Sequence, residues 1–218
     1  MYKKIFDFRC GIARVLNYDG EWNFITQNKV LLSPNQWYKC ASDFHRNFGR
    51  VQRANGEWNY MDTKGRILSP NQWFKWVELF TSDKRYTYAL VQRADCLWNY
   101  IDNRGMILSP HHWFAQAKPF ENGIAKIVNM KHLWNYINTD GNIISPNQWF
   151  KWIGIFHNGF ARVQREDKLW NFIDKNGKIL SINQWFDSCT FYHNTPIGKT
   201  QDKKYFLDLH NAIHRLLL

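Results

Sequence analysis

Two adjacent histidines, His111 and His112, are the side chains that most directly suggest chemistry, because imidazole is a common metal ligand. Adjacent side chains point in different directions, however, and these two share no partner ligands at a metal-site spacing. The other six histidines are scattered along the chain. The sequence therefore predicts no metal site, and no cofactor motif is present.

Carboxylates recur at one position, as Asp62, Asp102 and Asp174. Paired carboxylates can act in general acid–base catalysis, but each of these is followed three residues later by glycine, which is typical of a turn. The sequence contains no nucleophile elbow, P-loop or HExxH motif. We therefore predict a protein that is not an enzyme and has no catalytic residues.

Basic side chains form two registers in the sequence. The first register holds Arg14, Arg50, Lys126 and Arg162, and the second register holds Arg53, Arg93 and Arg165. Stacked copies of a repeat would bring each register onto one surface, which could contact phosphates without reading a base sequence. The net charge of +11 favours the same partners. The alternative is a solvated strand face that keeps a tryptophan-rich protein in solution.

Two of the 12 tryptophans, Trp76 and Trp152, lie outside the common pattern of the chain. Each follows a lysine, Lys75 or Lys151. Tryptophan is a frequent anchor of protein interfaces, so these two residues and the lysines beside them are candidates for binding a protein partner. They could equally fill grooves between neighbouring repeats.

These residues belong to a repeated sequence unit. A tryptophan that precedes asparagine marks each of five units: Trp22, Trp58, Trp98, Trp134 and Trp170. The intervals are 36, 40, 36 and 36 residues, and a second tryptophan follows 15 residues after the first in every unit. A constant period of this size is typical of repeat architectures.

Each repeat is predicted to hold three strands and one short helical turn. Segments such as "ARVQR" and "WNYI" are strands of period two, joined by a short polar link. An Asp-x-x-Gly turn then leads to a third strand, Ile67-Leu68 in the second repeat. Ser69-Pro70 has the residue types of a helix start, so we expect one helical turn that carries the second tryptophan inward.

The asparagine after each marker tryptophan is unusual, because asparagine is a poor strand residue. These residues are Asn23, Asn59, Asn99, Asn135 and Asn171. The amides could line a channel for a polar ligand, or they could satisfy buried backbone groups. We favour the structural interpretation, because the same residue stands in every full repeat.

Fold class follows from these patterns: all-β, with tandem repeats of about 36 residues. Residues 1–190 hold five repeats, and residues 191–218 are a degenerate sixth unit or a C-terminal cap. A β-propeller-like ring is favoured, and an open β-solenoid is the alternative.

At these residues the chain resembles the WG-repeat family of bacterial and phage proteins. The matching stretches are "GIARV", "GIAKI" and "GFARV", then "WNYMDTKG" and its variants, "ILSP" and "NQWF", over almost all of residues 6–190. Asparagine stands where that family usually has glycine. The resemblance implies a β-repeat scaffold that mediates binding, with no catalytic motif.

We therefore predict a non-catalytic repeat scaffold that binds another macromolecule, most often a protein. Nucleic-acid or other polyanion binding through the registers is one alternative, and lectin-like binding in repeated aromatic pockets is another. The sequence has no signal peptide and no apolar segment of about 18 residues, so we expect no membrane association. Four cysteines at unrelated repeat positions favour reduced thiols and a cytoplasmic location.

Overall fold

The computed structural model of the chain is all-β, as predicted. The structure describes residues 2–83, 86–201, 203–207 and 213–215. This part of the chain contains no helix, and so none with the length and apolar character needed to cross a bilayer. Its strands are β1 (Lys4–Ile5), β2 (Ile12–Leu16), β3 (Trp22–Thr26), β4 (Cys40–Ala41), β5 (Phe48–Gln52), β6 (Trp58–Asp62), β7 (Trp76–Val77), β8 (Thr81–Asp83), β9 (Tyr86–Gln92), β10 (Trp98–Asp102), β11 (Gln116–Ala117), β12 (Ile124–Val128), β13 (Trp134–Asn138), β14 (Trp152–Ile153), β15 (Phe160–Gln164), β16 (Trp170–Asp174), β17 (Ser188–Tyr192), β18 (Thr195–Lys199), β19 (Lys204–Leu207) and β20 (Ile213–Arg215).

Each of the five repeats is built around one antiparallel hairpin. In the second repeat, β5 pairs with β6, with Arg50 opposite Tyr60 and Val51 opposite Asn59. Asn59, Tyr60 and Met61 are all buried, so this strand is covered on both faces instead of alternating between core and solvent. The equivalent strands of the other four repeats have the same burial pattern.

The third strand of the sheet is not the one predicted. The aliphatic pair after the glycine turn contributes one bridge, from Ile67 to Met61. The third strand is instead a two-residue segment that pairs with the following hairpin, as β4 does with β5 through Cys40 opposite Gln52. A sheet of this kind joins the end of one repeat to the hairpin of the next.

The predicted helical turn at Ser-Pro is wrong. The backbone N–H of Gln72 donates to the carbonyl of Ser69 at 3.1 Å, which closes a β-turn with Pro70 at its second position. The chain reverses there, and Phe74 forms an antiparallel bridge with Trp58. The side chain of Phe74 is fully buried, whereas Trp73, the second tryptophan of this repeat, is half-buried.

Glycine ends the Asp-x-x-Gly turn for two physical reasons. Asp62 accepts hydrogen bonds from the backbone N–H groups of Lys64 and Arg66, both at 2.9 Å, and Gly65 has a φ of +79°. In addition, a Cβ at Gly65 would lie 2.2 Å from the carbonyl oxygen of Leu32 in the preceding repeat. Glycine therefore supplies both the left-handed backbone and the close approach of neighbouring repeats.

The chain divides into two compact segments, Met1–Gly123 and Ile124–Leu218. In the first segment, aromatic side chains of successive repeats pack together, as in the edge-on pair Phe24 and Phe44 with ring centroids 4.9 Å apart. In the second segment, β17, β18, β19 and β20 form one sheet in chain order. The predicted boundary at residue 190 rests on sequence motifs and stays a prediction. Residues 202, 208–212 and 216–218 lie outside the described residues.

Candidate functional site

The repeated asparagines have a structural role inside each repeat. Asn99 is fully buried, and its Nδ2 donates to the carbonyls of Ser109 and His112, both at 2.8 Å. Its Oδ1 accepts the backbone N–H of Tyr100 at 2.8 Å. The other four asparagines are equally buried and make the same bonds. The amide thus holds the turn, which is Ser-Pro in four repeats and Ser181-Ile182 in the fifth, against the hairpin, and it does not face a channel.

The first register binds backbone carbonyls of the same protein. Each cation donates to the carbonyl of the residue 27 positions later, in the two-residue strand or its equivalent beside the following hairpin. The bonds run from Arg14 to Ala41 at 2.9 Å, from Arg50 to Val77 at 3.2 Å, from Lys126 to Ile153 at 3.4 Å and from Arg162 to Cys189 at 3.2 Å. These half-buried cations therefore link neighbouring repeats, whatever else they contact.

The second register stacks on the second tryptophan of its own repeat. The guanidinium carbon lies 3.6 to 4.4 Å from the ring centroid in three pairs: Arg53 on Trp73, Arg93 on Trp113 and Arg165 on Trp185. Arg93 and Arg165 also form ion pairs with Asp95 and Asp167. Hydrogen bonds from these guanidinium groups hold the pKa values of both carboxyls below their usual range.

Trp76 is exposed on the strand that precedes the third hairpin. Its side chain is 41% exposed, and its ring packs edge-on against Trp58 with centroids 6.0 Å apart. Its indole Nε1–H donates to the carboxylate of Glu78 at 2.9 Å. The adjacent Lys75 donates to the sulfur of Cys96 at 3.0 Å. An indole held in this way presents an apolar face to solvent at little conformational cost.

Trp152 occupies the equivalent position two repeats later. Its side chain is 39% exposed, and its ring packs edge-on against Trp170 with centroids 5.3 Å apart. The guanidinium carbon of Arg162 lies 5.6 Å from the ring of Trp152 and 5.9 Å from a ring of Trp170. Lys151 is exposed beside this cluster. The structure therefore places two predicted candidates of different classes, Trp152 and Arg162, in one site.

Sequence reasoning did not single out three residues that share one repeat position. Asp43 pairs with Arg14 at 2.5 Å, and Leu79 and Ile155 are exposed apolar side chains near the two tryptophans in sequence. All three stand at the same repeat position, where the chemical type changes from one repeat to the next. That variation was the available signal, because packing positions repeat while contact positions need not.

The two adjacent histidines lie at the surface. His111 and His112 are both exposed, and no group of three or more His, Cys, Asp or Glu side chains in the described ranges could hold an ion. All four cysteines are free, and burial raises the pKa of the Cys189 thiol to about 12.

The comparison with protein families matches one stretch of the repeated region. Residues 134–170 match the family described as "WG containing repeat". This stretch is similar to a WG repeat. The match confirms the predicted resemblance, and the other four repeats of the chain have the same asparagine hydrogen bonds as Asn135. No curated protein matches the sequence.

Similar solved structures include three that have TM-scores below 0.4. The computationally designed protein Ika8 has a TM-score of 0.37 and 12% identity, over 97% of this chain and 73% of that one. BamB from Moraxella catarrhalis has a TM-score of 0.32 and 11% identity, over 96% of this chain and 70% of that one. The WD40 β-propeller domain of Doa1 has a TM-score of 0.31 and 10% identity, over 95% of this chain and 79% of that one. Since these TM-scores are below 0.5, the choice of a ring over a solenoid stays a prediction.

Proposed function

We propose that this chain is a non-catalytic repeat scaffold that binds a partner protein through the surfaces around Trp76 and Trp152. The observation that supports this proposal is the exposure of these two indoles on strands where other repeats have Cys40, Gln116 or Ser188. Folding of the repeat does not require an aromatic side chain at this position. An exposed, laterally supported tryptophan is the kind of side chain that dominates protein interfaces.

Affinity capture from native lysate tests the proposal. The parent chain and the variant with both Trp76→Gln and Trp152→Gln are compared, because glutamine is the residue that the third repeat carries there, at Gln116. Loss of an interface hot spot costs about 2 kcal/mol or more, so a specific partner should be retained at least about tenfold less by the variant. Tyr18→Ala, which removes another exposed aromatic ring, is the matched control. Equal retention by all three proteins would overturn the proposal.

Polyanion binding through the two registers receives less support. The first-register cations donate to carbonyls of the chain, and second-register cations stack on indoles. The net charge of +11 still attracts polyanions. A salt titration separates the two functions, because affinity for nucleic acid falls by about one log unit per log unit of salt for each phosphate contacted.

A further inference from the structure

The first register offers an internal comparison between Arg14 and Arg162. Arg14 donates to the carbonyl of Ala41, and its guanidinium carbon lies 4.8 Å from the ring of Phe6 and 5.0 Å from that of Trp22. A carboxylate completes this arrangement, since Asp43 accepts from Nε of Arg14 at 2.5 Å. At Arg14, therefore, a first-register guanidinium that lies near two aromatic rings binds a carboxylate.

Arg162 makes the equivalent carbonyl contact and also lies near two aromatic rings, but it has no carboxylate partner within the part of the chain that the structure describes. It donates to the carbonyl of Cys189 and lies beside Trp152 and Trp170. The position equivalent to Asp43 is Phe191, and no carboxylate in the described residues is within ion-pair distance of Arg162. Exposed Lys151 adds a second positive charge next to Trp152.

We propose that the cluster of Trp152, Arg162 and Trp170 binds a carboxylate side chain in an acidic segment of the partner protein. This inference rests on the proposed function and names the chemistry of the partner. A guanidinium presents several N–H donors in a planar fork that matches a carboxylate, and the neighbouring rings shield the pair from water. Trp152 then packs against an apolar side chain next to the acid.

The Trp76 surface serves as the internal negative control. The first-register position nearest to it in the sheet is Leu90, which has no charge. The carboxylate of Glu78 already accepts from the indole Nε1 of Trp76. An acidic segment should therefore bind at Trp152 and not at Trp76, although both indoles are exposed.

An NMR titration of the indole Nε1–H signals tests the inference on the full chain. The probes are acetyl-Glu-Glu-Phe-Glu-Glu-amide and its counterpart with glutamine in place of every glutamate. The signals of Trp152 and Trp170 should shift saturably with the acidic peptide, while that of Trp76 stays in place. Because a hydrogen bond to a charged group contributes about 1.5–3 kcal/mol, the glutamine peptide should bind at least about tenfold more weakly.

Three variants locate the site. Trp152→Gln should abolish the saturable shift, and Arg162→Lys should weaken binding about tenfold, because lysine keeps the charge and loses the fork. Asp43→Ala should create a second site at Arg14, seen as a new saturable shift of the Trp22 signal. The carboxyl side chain of Asp43 is 48% exposed, so its removal is compatible with folding.

Equal binding of the two peptides would overturn the inference, as would shifts at Trp76 as large as those at Trp152. Competition by a single-stranded DNA decamer with a steep salt dependence would also overturn it, in favour of a polyanion site. If lysate capture depends on Trp152 but the acidic peptide causes no shift, the proposed function stands and the acidic partner is wrong. If capture depends on neither tryptophan, the proposed function fails, and the titration still decides what Arg162 binds.

Discussion

Replacement of Asn99 by alanine tests the physical basis of the repeat. The amide of Asn99 is fully buried and makes its hydrogen bonds to backbone groups of its own repeat. Without it, the carbonyl of His112 and the N–H of Tyr100 lose these partners, while the carbonyl of Ser109 keeps the N–H of His112 at 3.0 Å. The N–H of Ser109 also loses its longer bond to Oδ1 of Asn99, at 3.4 Å. Three backbone groups therefore lose a partner, and two of the lost bonds are short.

The expected loss of stability follows from the two short bonds, to the carbonyl of His112 and from the N–H of Tyr100. A buried donor or acceptor without a partner costs about 1–3 kcal/mol, so Asn99→Ala should lower the free energy of unfolding by about 2–6 kcal/mol. With a urea dependence of about 3 kcal/mol per molar, the unfolding midpoint should fall by about 0.7–2 M. Asn99→Asp should be at least as harmful, because it removes the Nδ2 donor and buries a carboxylate.

Urea unfolding followed by far-UV circular dichroism measures the midpoint. Asn103→Ala is the matched control, because Asn103 is an exposed asparagine in the next turn of the same repeat. A control of this kind should change stability by about 0.5 kcal/mol at most. A midpoint for Asn99→Ala equal to that of Asn103→Ala would refute the idea that the amide holds the turn.

Two further predictions concern the repeat contacts and the buried phenols. Gly105→Ala should destabilise the protein more than Gly56→Ala in the same urea assay. The two glycines have similar φ angles, +87° and +90°, but of the two only Gly105 has a carbonyl, that of Leu68, within 2.1 Å of where a Cβ would lie. We expect the two losses of stability to differ by about 1 kcal/mol or more, and equal losses would contradict the close approach. Burial raises the pKa values of Tyr60, Tyr100 and Tyr136, so their neutral form is favoured in the folded state and stability should fall as the pH rises above about 10, where unfolded phenols ionise. Absorbance at 295 nm should show these three of the ten tyrosines ionising only as the circular dichroism is lost, and reversible ionisation of all ten in the native state would contradict this.

The hairpin of each repeat was predictable from sequence because its signals are local. The strands of "ARVQR" and "WNYI" follow from residue type, and Asp62 forms the predicted turn through its bonds to Lys64 and Arg66. The helical turn was wrong because the same Ser-Pro pattern begins helices and β-turns alike. Asn59 favours the β-turn, because its side-chain amide donates hydrogen bonds to the carbonyls of Ser69 and Gln72.

The surroundings of the candidate binding residues were harder to predict because they come from other repeats. Alternation along β15 places Arg162 on the face opposite Val163, which suggested a solvated or phosphate-binding surface. The carbonyl that Arg162 contacts belongs to Cys189, and the rings beside it belong to Trp152 and Trp170. Sequence spacing alone does not reveal these neighbours.

The side chains that stabilise the repeat are different from those proposed to bind a partner. The backbone of Trp76 lies opposite Gln92 in the sheet, but its indole faces outward, and Gln116 holds the same position in the third repeat. The Ser-Pro turn that precedes this strand is fixed by the buried asparagine and not by the outward residue. An outward residue can therefore change from cysteine to glutamine or tryptophan while the hairpin, turn and core stay as they are. This is the reason to expect that Trp76→Gln and Trp152→Gln remove binding without unfolding the chain.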